Sequence, residues 1–175
     1  GSTEAAKNRM RSNVEKIDSI EVETIVSTAS GCGVTLKEYG RLLGDEASNT
    51  FARKVVDVSE FLSDYQFNKR DDVATVAWHA PCSLQHGQKI TSNVEKILSD
   101  TGYELVTLKE SHLCCGSAGA YSLTQPGISN ALRDRKIANL TEKSPDVIVT
   151  ANIGCQMHIG GGTDTPVLHW LELLR

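Results

Sequence analysis

Four cysteines, set in three short stretches, are the residues best placed to do chemistry. Cys82 lies in His79-Ala80-Pro81-Cys82-Ser83-Leu84-Gln85-His86, an adjacent pair lies in Leu113-Cys114-Cys115-Gly116-Ser117-Ala118-Gly119, and Cys155 lies in Gly154-Cys155-Gln156-Met157-His158. Thirty-one residues separate Cys82 from Cys114, and thirty-nine separate Cys115 from Cys155. Neighbouring cysteines do not readily bridge each other, because the geometry of an S–S bond strains so short a link. The small residues after the pair let the backbone turn sharply and come close to whatever the sulfurs hold. Thiolates with imidazoles suit zinc or an iron–sulfur centre rather than magnesium or calcium. The competing reading is a pair of inert thiols packed as small hydrophobes. A thiol hydrolase using Cys82 or Cys115 with a histidine needs one cysteine and leaves the others unexplained.

His158, three residues after Cys155, stands at a ligand spacing. His79 and His86 flank Cys82 and are candidates for tuning thiolate pKa values or holding the ligands from behind; a loop histidine bonded to backbone is the plainer alternative. His112 and His169 have weaker claims. Gly160-Gly161-Gly162-Thr163 lacks the glycine order of a phosphate-binding turn and reads as a flexible loop. No Ser-His-Asp or paired-carboxylate arrangement stands out.

These residues need elements that bring them together. Val73 to Trp78 reads as a strand delivering the Cys82 loop, and Tyr103 to Leu108 as a strand feeding the Cys114-Cys115 loop. Asp146 to Thr150 is a third strand, ending at Gly154-Cys155, and Val167-Leu168 a fourth before a last helical turn from His169 to Leu174. Between them, Ser92 is expected to cap a helix bearing Val94, Ile97 and Leu98 that Gly102 stops. A longer helix runs from Pro126 to Glu142. Strands alternating with helices predict an α/β fold with a parallel sheet flanked by helices, whose carboxyl edge gathers all three cysteine loops.

Upstream, Thr3 to Ile17 has helical periodicity, Thr24 to Ser27 reads as a buried strand, and Val34 to Leu43 as a helix. A further helix is expected to align Phe51, Val55, Val58 and Leu62 on one face. Asn68 to Asp72 is a polar break, dividing the chain at 1–68 and 69–175. The first part echoes the second: Arg11 to Val14, Thr24 to Ser27 and Gly31-Cys32 parallel Asp134 to Ile137, Val147 to Thr150 and Gly154-Cys155, with both cysteines offset by 123 residues. Thr35 stands where the other copy has His158, and nothing matches Cys82 or the pair. The first part is therefore expected to be the later portion of a copy that begins upstream of Gly1, with Cys32 an orphan.

The 175 residues are 39% hydrophobic with a net charge of −4. No apolar run approaches the roughly 18–20 residues that span a bilayer, so an integral membrane protein is not expected. No basic cluster invites nucleic acid. An odd number of cysteines and no signal peptide predict a reducing cytoplasm.

In its motifs the chain resembles the cysteine-rich, or CCG, domains found in tandem in heterodisulfide reductase B subunits and related oxidoreductase subunits. The wording is similar above all to the iron–sulfur subunits of glycolate oxidases: His79 to Lys89, Leu113 to Gly119, Thr150 to Cys155 and Pro166 to Trp170. The resemblance spans about Arg11 to Leu174, with three separated loops in order. It implies metal ligands at Cys82, Cys114, Cys115 and Cys155. In the heterodisulfide reductase form the last motif is Cys-x-x-Cys, where this chain has His158, so both a four-iron cluster and zinc are open as the cofactor. It implies one partial and one complete repeat, at 1–68 and 69–175, and no ferredoxin-like cluster region in this chain. It further implies electron transfer from a flavin on a partner flavoprotein toward the quinone pool, in the cytoplasm or peripherally at the inner face of the membrane. The chain alone is then expected to oxidise nothing. Alternatives are a subunit serving lactate or glycerol 3-phosphate oxidation, and a zinc-stabilised docking module without redox function.

Overall fold

The computed structural model describes residues 2–175. They fold as two compact units that divide between Phe61 and Leu62, each α/β with parallel strands.

The second unit carries all four clustered cysteines. Its strands are β3 (Thr75–His79), β4 (Glu104–Leu105), β5 (Val147–Thr150) and β6 (Val167–His169), all parallel, in the order β4-β3-β5-β6. The chain leaves β3 for one edge, then crosses back to place β5 on the other side. Ligands of open α/β sheets sit at such a switch point, outside the carboxyl ends of the strands. β5 is buried throughout and β3 nearly so, which explains their unbroken apolar runs: helices cover both faces of a parallel sheet. Those helices are α6 (Asn93–Asp100), α8 (Pro126–Thr141) and α9 (Ile153–Gly160), with a short α7 (Tyr121–Thr124) before α8. Ala77, Leu140, Ile148 and Ile159 are buried to the last atom and pack with Cys115 in one cluster, so apolar packing runs directly beneath the sulfurs. Asp146 ties β5 to β3 at the opposite end, its Oδ2 accepting from the amides of Ala74 (2.9 Å) and Thr75 (2.8 Å) and from Thr75 Oγ1 (3.0 Å).

In the second unit four local expectations differ. Ser92 has a left-handed backbone (φ 66°) and its hydroxyl goes to the Thr91 carbonyl, so it does not cap α6 through its side chain. The Tyr103–Leu108 strand shortens to two residues, because β4 is an edge strand with β3 as its one neighbour. Cys155 is not in a loop but in the first turn of α9. The polar stretch Asn68 to Asp72 belongs to the second unit: Asn68 and Arg175 exchange amide–carbonyl hydrogen bonds of 2.8 and 3.0 Å, and the Arg70 amide donates to Tyr103 Oη at 2.7 Å.

The first unit comprises α1 (Thr3–Asp18), β1 (Ile25–Ser27), α2 (Ser30–Lys37), α3 (Tyr39–Leu43), α4 (Glu46–Lys54), β2 (Val55–Asp57) and α5 (Val58–Phe61). The expected helix through Phe51, Val55, Val58 and Leu62 breaks at Val55, since Val55-Val56-Asp57 pairs with Ile25-Val26-Ser27. Tertiary pairing of β-branched residues overrides a helical spacing there. Tyr39 stacks on Phe51 at 5.1 Å, and with Val14 and Val55 they form this unit's core.

The two units share local features. α1 and α8 are both sixteen residues long, and α2 and α9 both eight, each pair beginning 123 residues apart. Ile25↔Val55 pairing in the first unit matches Ile148↔Val167 in the second. Even the end is alike: the Asp57 amide donates to Glu60 Oε2 (2.9 Å), as the His169 amide does to Glu172 Oε1 (2.7 Å).

Candidate metal centre

The three cysteine stretches converge past the carboxyl ends of β3, β4 and β5. Cys82 follows β3 and leads into a single π-helical turn, Ser83–Gln88, a distortion that concentrates at functional sites. Cys114 and Cys115 sit on the loop between β4 and α7. Cys155 is held by Asn152, whose Oδ1 accepts from the amides of Gly154 (2.9 Å) and Cys155 (3.4 Å) and whose Nδ2 donates to Ser83 Oγ (3.3 Å). One side chain thus caps α9 and joins the Cys155 and Cys82 segments. A cavity of about 460 Å³ opens among them, lined by all four cysteines together with Ser117, Gly119 and Ile153.

The sulfurs form a chain of contacts, Cys82 to Cys114 to Cys115 to Cys155. Hydrogen bonds from Cys115 and Cys82 hold the Cys114 thiol well below its ordinary pKa, and the hydrogen bond with Cys115 pulls Cys155 down to about 5. Cys82 and Cys115 are pushed up, first by sharing their protons with those thiolates and then by burial. Four sulfurs in one cavity make a soft donor set, and any proton still on them is released as a cation binds. The Gly116 amide adds a hydrogen bond to Cys114 Sγ at 3.3 Å.

His79, the last residue of β3, is 1% exposed. Its ring donor atom and the sulfurs of Cys115 and Cys155 lie within 4.8 Å of one another. Neither ring nitrogen has a nitrogen or oxygen partner, and neither does Oγ1 of Thr150, its cross-strand neighbour. Buried polar atoms left this way are costly in a finished structure; here a ring nitrogen of His79 lies beside the sulfurs, and its hydrogen bond helps lower the Cys155 pKa.

His158 is turned the other way. On α9 its Nε2 lies 3.1 Å from Ser129 Oγ and 3.3 Å from the Ser129 carbonyl, and it is not among the residues lining the cavity. Because the Ser129 hydroxyl donates to the Gly116 carbonyl (2.8 Å), its oxygen is left to accept from His158. His86 and His112 are exposed, and His169 caps the last helical turn by accepting from the Leu171 amide. Cys32 is exposed on α2 of the first unit. Ser129, Asn152 and Lys136 escaped notice in the sequence; only Asn152, placed before Gly-Cys at a helix start, carried a readable sign.

A profile of the family described as CCG, cysteine-rich domain, matches residues 1–37 and 76–160. The glycolate oxidase iron-sulfur subunit of Escherichia coli (strain K12) is 44% identical over 161 residues, 87% of this chain and 39% of that protein. A probable glycolate oxidase iron-sulfur subunit of Bacillus subtilis (strain 168) is 29% identical over 172 residues, covering 91% of this chain and again 39% of the relative. Lactate utilization protein A of Bacillus licheniformis is 32% identical over 189 residues, covering 100% of this chain and 79% of that protein. The chain therefore spans about two fifths of the two iron-sulfur subunits. No helix among the described residues is long and apolar enough to cross a membrane.

Proposed function

The chain belongs to the family of CCG cysteine-rich domains, and from that premise we propose that its second unit holds a four-iron iron–sulfur cluster and serves as an electron carrier. Cys82, Cys114, Cys115 and Cys155 are the proposed ligands, with the His79 imidazole as a nitrogen donor. The observation that carries the reading is the convergence of these five side chains at one sheet edge. The donor set suits the group: soft sulfurs, two of them with lowered pKa values, a buried imidazole without another nitrogen or oxygen partner, and a backbone N–H on one sulfur. When bound, such a cluster supplies one-electron redox chemistry. The protein's own residues fix the rest. Asn152 sets the Cys155 turn, and Ser129 with His158 sets the carbonyl of Gly116 and so the direction of the paired-cysteine loop.

The first unit is proposed to be the later portion of a first, partial CCG repeat, and the second unit a complete second one. Following the two iron-sulfur subunits, electrons are proposed to come from a partner flavoprotein that oxidises glycolate and to leave toward quinone, with the protein in the cytoplasm or peripherally at the membrane. The lactate utilization relative, which the chain matches from end to end, supports lactate as the second reading.

The test is anaerobic loading of the chain, or of any longer protein containing it, with iron and sulfide. Expected is a reducible centre, read by visible absorption and electron paramagnetic resonance, that is lost on changing any of the four cysteines to serine. Tight zinc with no reducible centre would replace the electron-carrier reading with the docking one. Glycolate against lactate is decided by which of them reduces the centre in the isolated complex.

A further inference from the structure

Lys136, in the middle of α8, has no exposed surface. Its Nζ donates to the backbone carbonyls of Ser111 (3.0 Å) and Glu110 (3.3 Å), at the start of the loop that carries Cys114 and Cys115. A buried ammonium is costly unless an opposite charge is near. Yet among the described residues no carboxylate lies within ion-pair distance of it. The Glu110 carboxylate is taken by Arg135 and Asn139 instead. Burial pulls the Lys136 ammonium down, and the sulfur site, ahead of Glu110, opposes this.

The other unit supplies a comparison. At the matching position of α1, 123 residues earlier, stands Asn13, exposed and donating to Tyr39 Oη at 3.0 Å. The unit without the cysteine cluster thus has a neutral residue where the unit with it buries a cation.

We propose that Lys136 is the buried counter-cation of the sulfur site, offsetting its negative charge while its hydrogen bonds tether the loop that presents the cysteine pair. The proposal rests on the iron–sulfur reading above for its redox consequence. Adding an electron makes a thiolate-ligated centre more negative, so a fixed positive charge in a low-dielectric interior favours the reduced state. Lys136 is in this sense a positioning residue and not a ligand.

The test compares Lys136→Met and Lys136→Gln with Arg135→Met in the full chain, loaded anaerobically and shown to be folded by thermal unfolding. Arg135 is exposed and already paired with Glu110, so its removal is the control for a nearby but solvated charge. Expected is a midpoint potential shifted to more negative values in both Lys136 variants and nearly unmoved in Arg135→Met. Gln keeps a donor to the carbonyls, so an equal shift in Gln and Met identifies charge rather than tethering. A centre that titrates at the wild-type potential in both variants overturns the proposal. If the wild-type chain holds zinc and no reducible centre, the redox reading fails and the charge is read as zinc affinity. A loss of roughly ten-fold in both Lys136 variants relative to Arg135→Met then supports the counter-cation, and equal affinities overturn it.

Discussion

At Gly116 a Cβ would stand 2.3 Å from the Ser129 carbonyl oxygen, and φ is +88°. The turn after the cysteine pair therefore needs glycine on two counts, conformation and contact. Gly116→Ala is expected to destabilise the protein by about 1–3 kcal/mol, by denaturant titration, and to lower metal content as the pair is displaced. Gly154 meets a softer limit, the Ser117 hydroxyl at 2.9 Å. His79→Ala should alter the electron paramagnetic resonance signature of the loaded centre while leaving the apoprotein folded, and His86→Ala, at an exposed position, should leave both signature and fold unchanged. An unchanged signature in His79→Ala would remove the imidazole from the donor set. The cysteines were legible because four thiols at marked breaks have few other uses. His79 read only as a flanking histidine, since its burial comes from being the last residue of a central strand, which no local spacing reveals. Lys136 read as one more helix cation, because its burial depends on the loop that folds over it.

Among the elements, α8, β5 and α9 hold the floor of the site. Leu140 and Ile159, both fully buried against Cys115, have no room to be shortened without a void. Ile159→Ala is expected to cost about 2–5 kcal/mol in equilibrium unfolding. At the far end of β5, hydrogen bonds first from the Thr75 amide and then from that of Ala74 hold Asp146 below its ordinary value of 3.8. A depressed carboxylate stabilises the fold above its unfolded pKa and loses that contribution as pH falls through the folded one. The stability gap between wild type and Asp146→Ala should therefore be constant well above the ordinary carboxylate value of 3.8 and narrow as pH falls below it; a gap independent of pH would deny the ionised latch. Strands and helices of the second unit were readable from unbroken apolar runs and helical spacing. The α4–β2 break was not, because Val55 and Val58 keep a helical interval while the strand partner that claims Val55 lies thirty residues earlier, at Ile25.

Over the whole molecule, the cysteine cluster belongs to the second unit, and Cys32 occupies in α2 the place that Cys155 holds in α9 without the companions that would give it a site. Cys32→Ser should leave metal content and potential unchanged, whereas Cys155→Ser should abolish the centre, by iron and sulfide analysis of the same preparations. The two units also differ by a length that has a practical meaning. Residues 38–54 separate α2 from β2, but only residues 161–166 separate α9 from β6, although both connections join a helix to the same strand register. The fold has thus already shown that this corner accepts two extra helices without disturbing the pairing it leads to. In the second unit that corner lies at the end of α9 remote from Cys155, so a fluorophore-bearing peptide or a surface-attachment tag could be spliced into 161–166 to wire the protein to an electrode with its sulfur site left untouched.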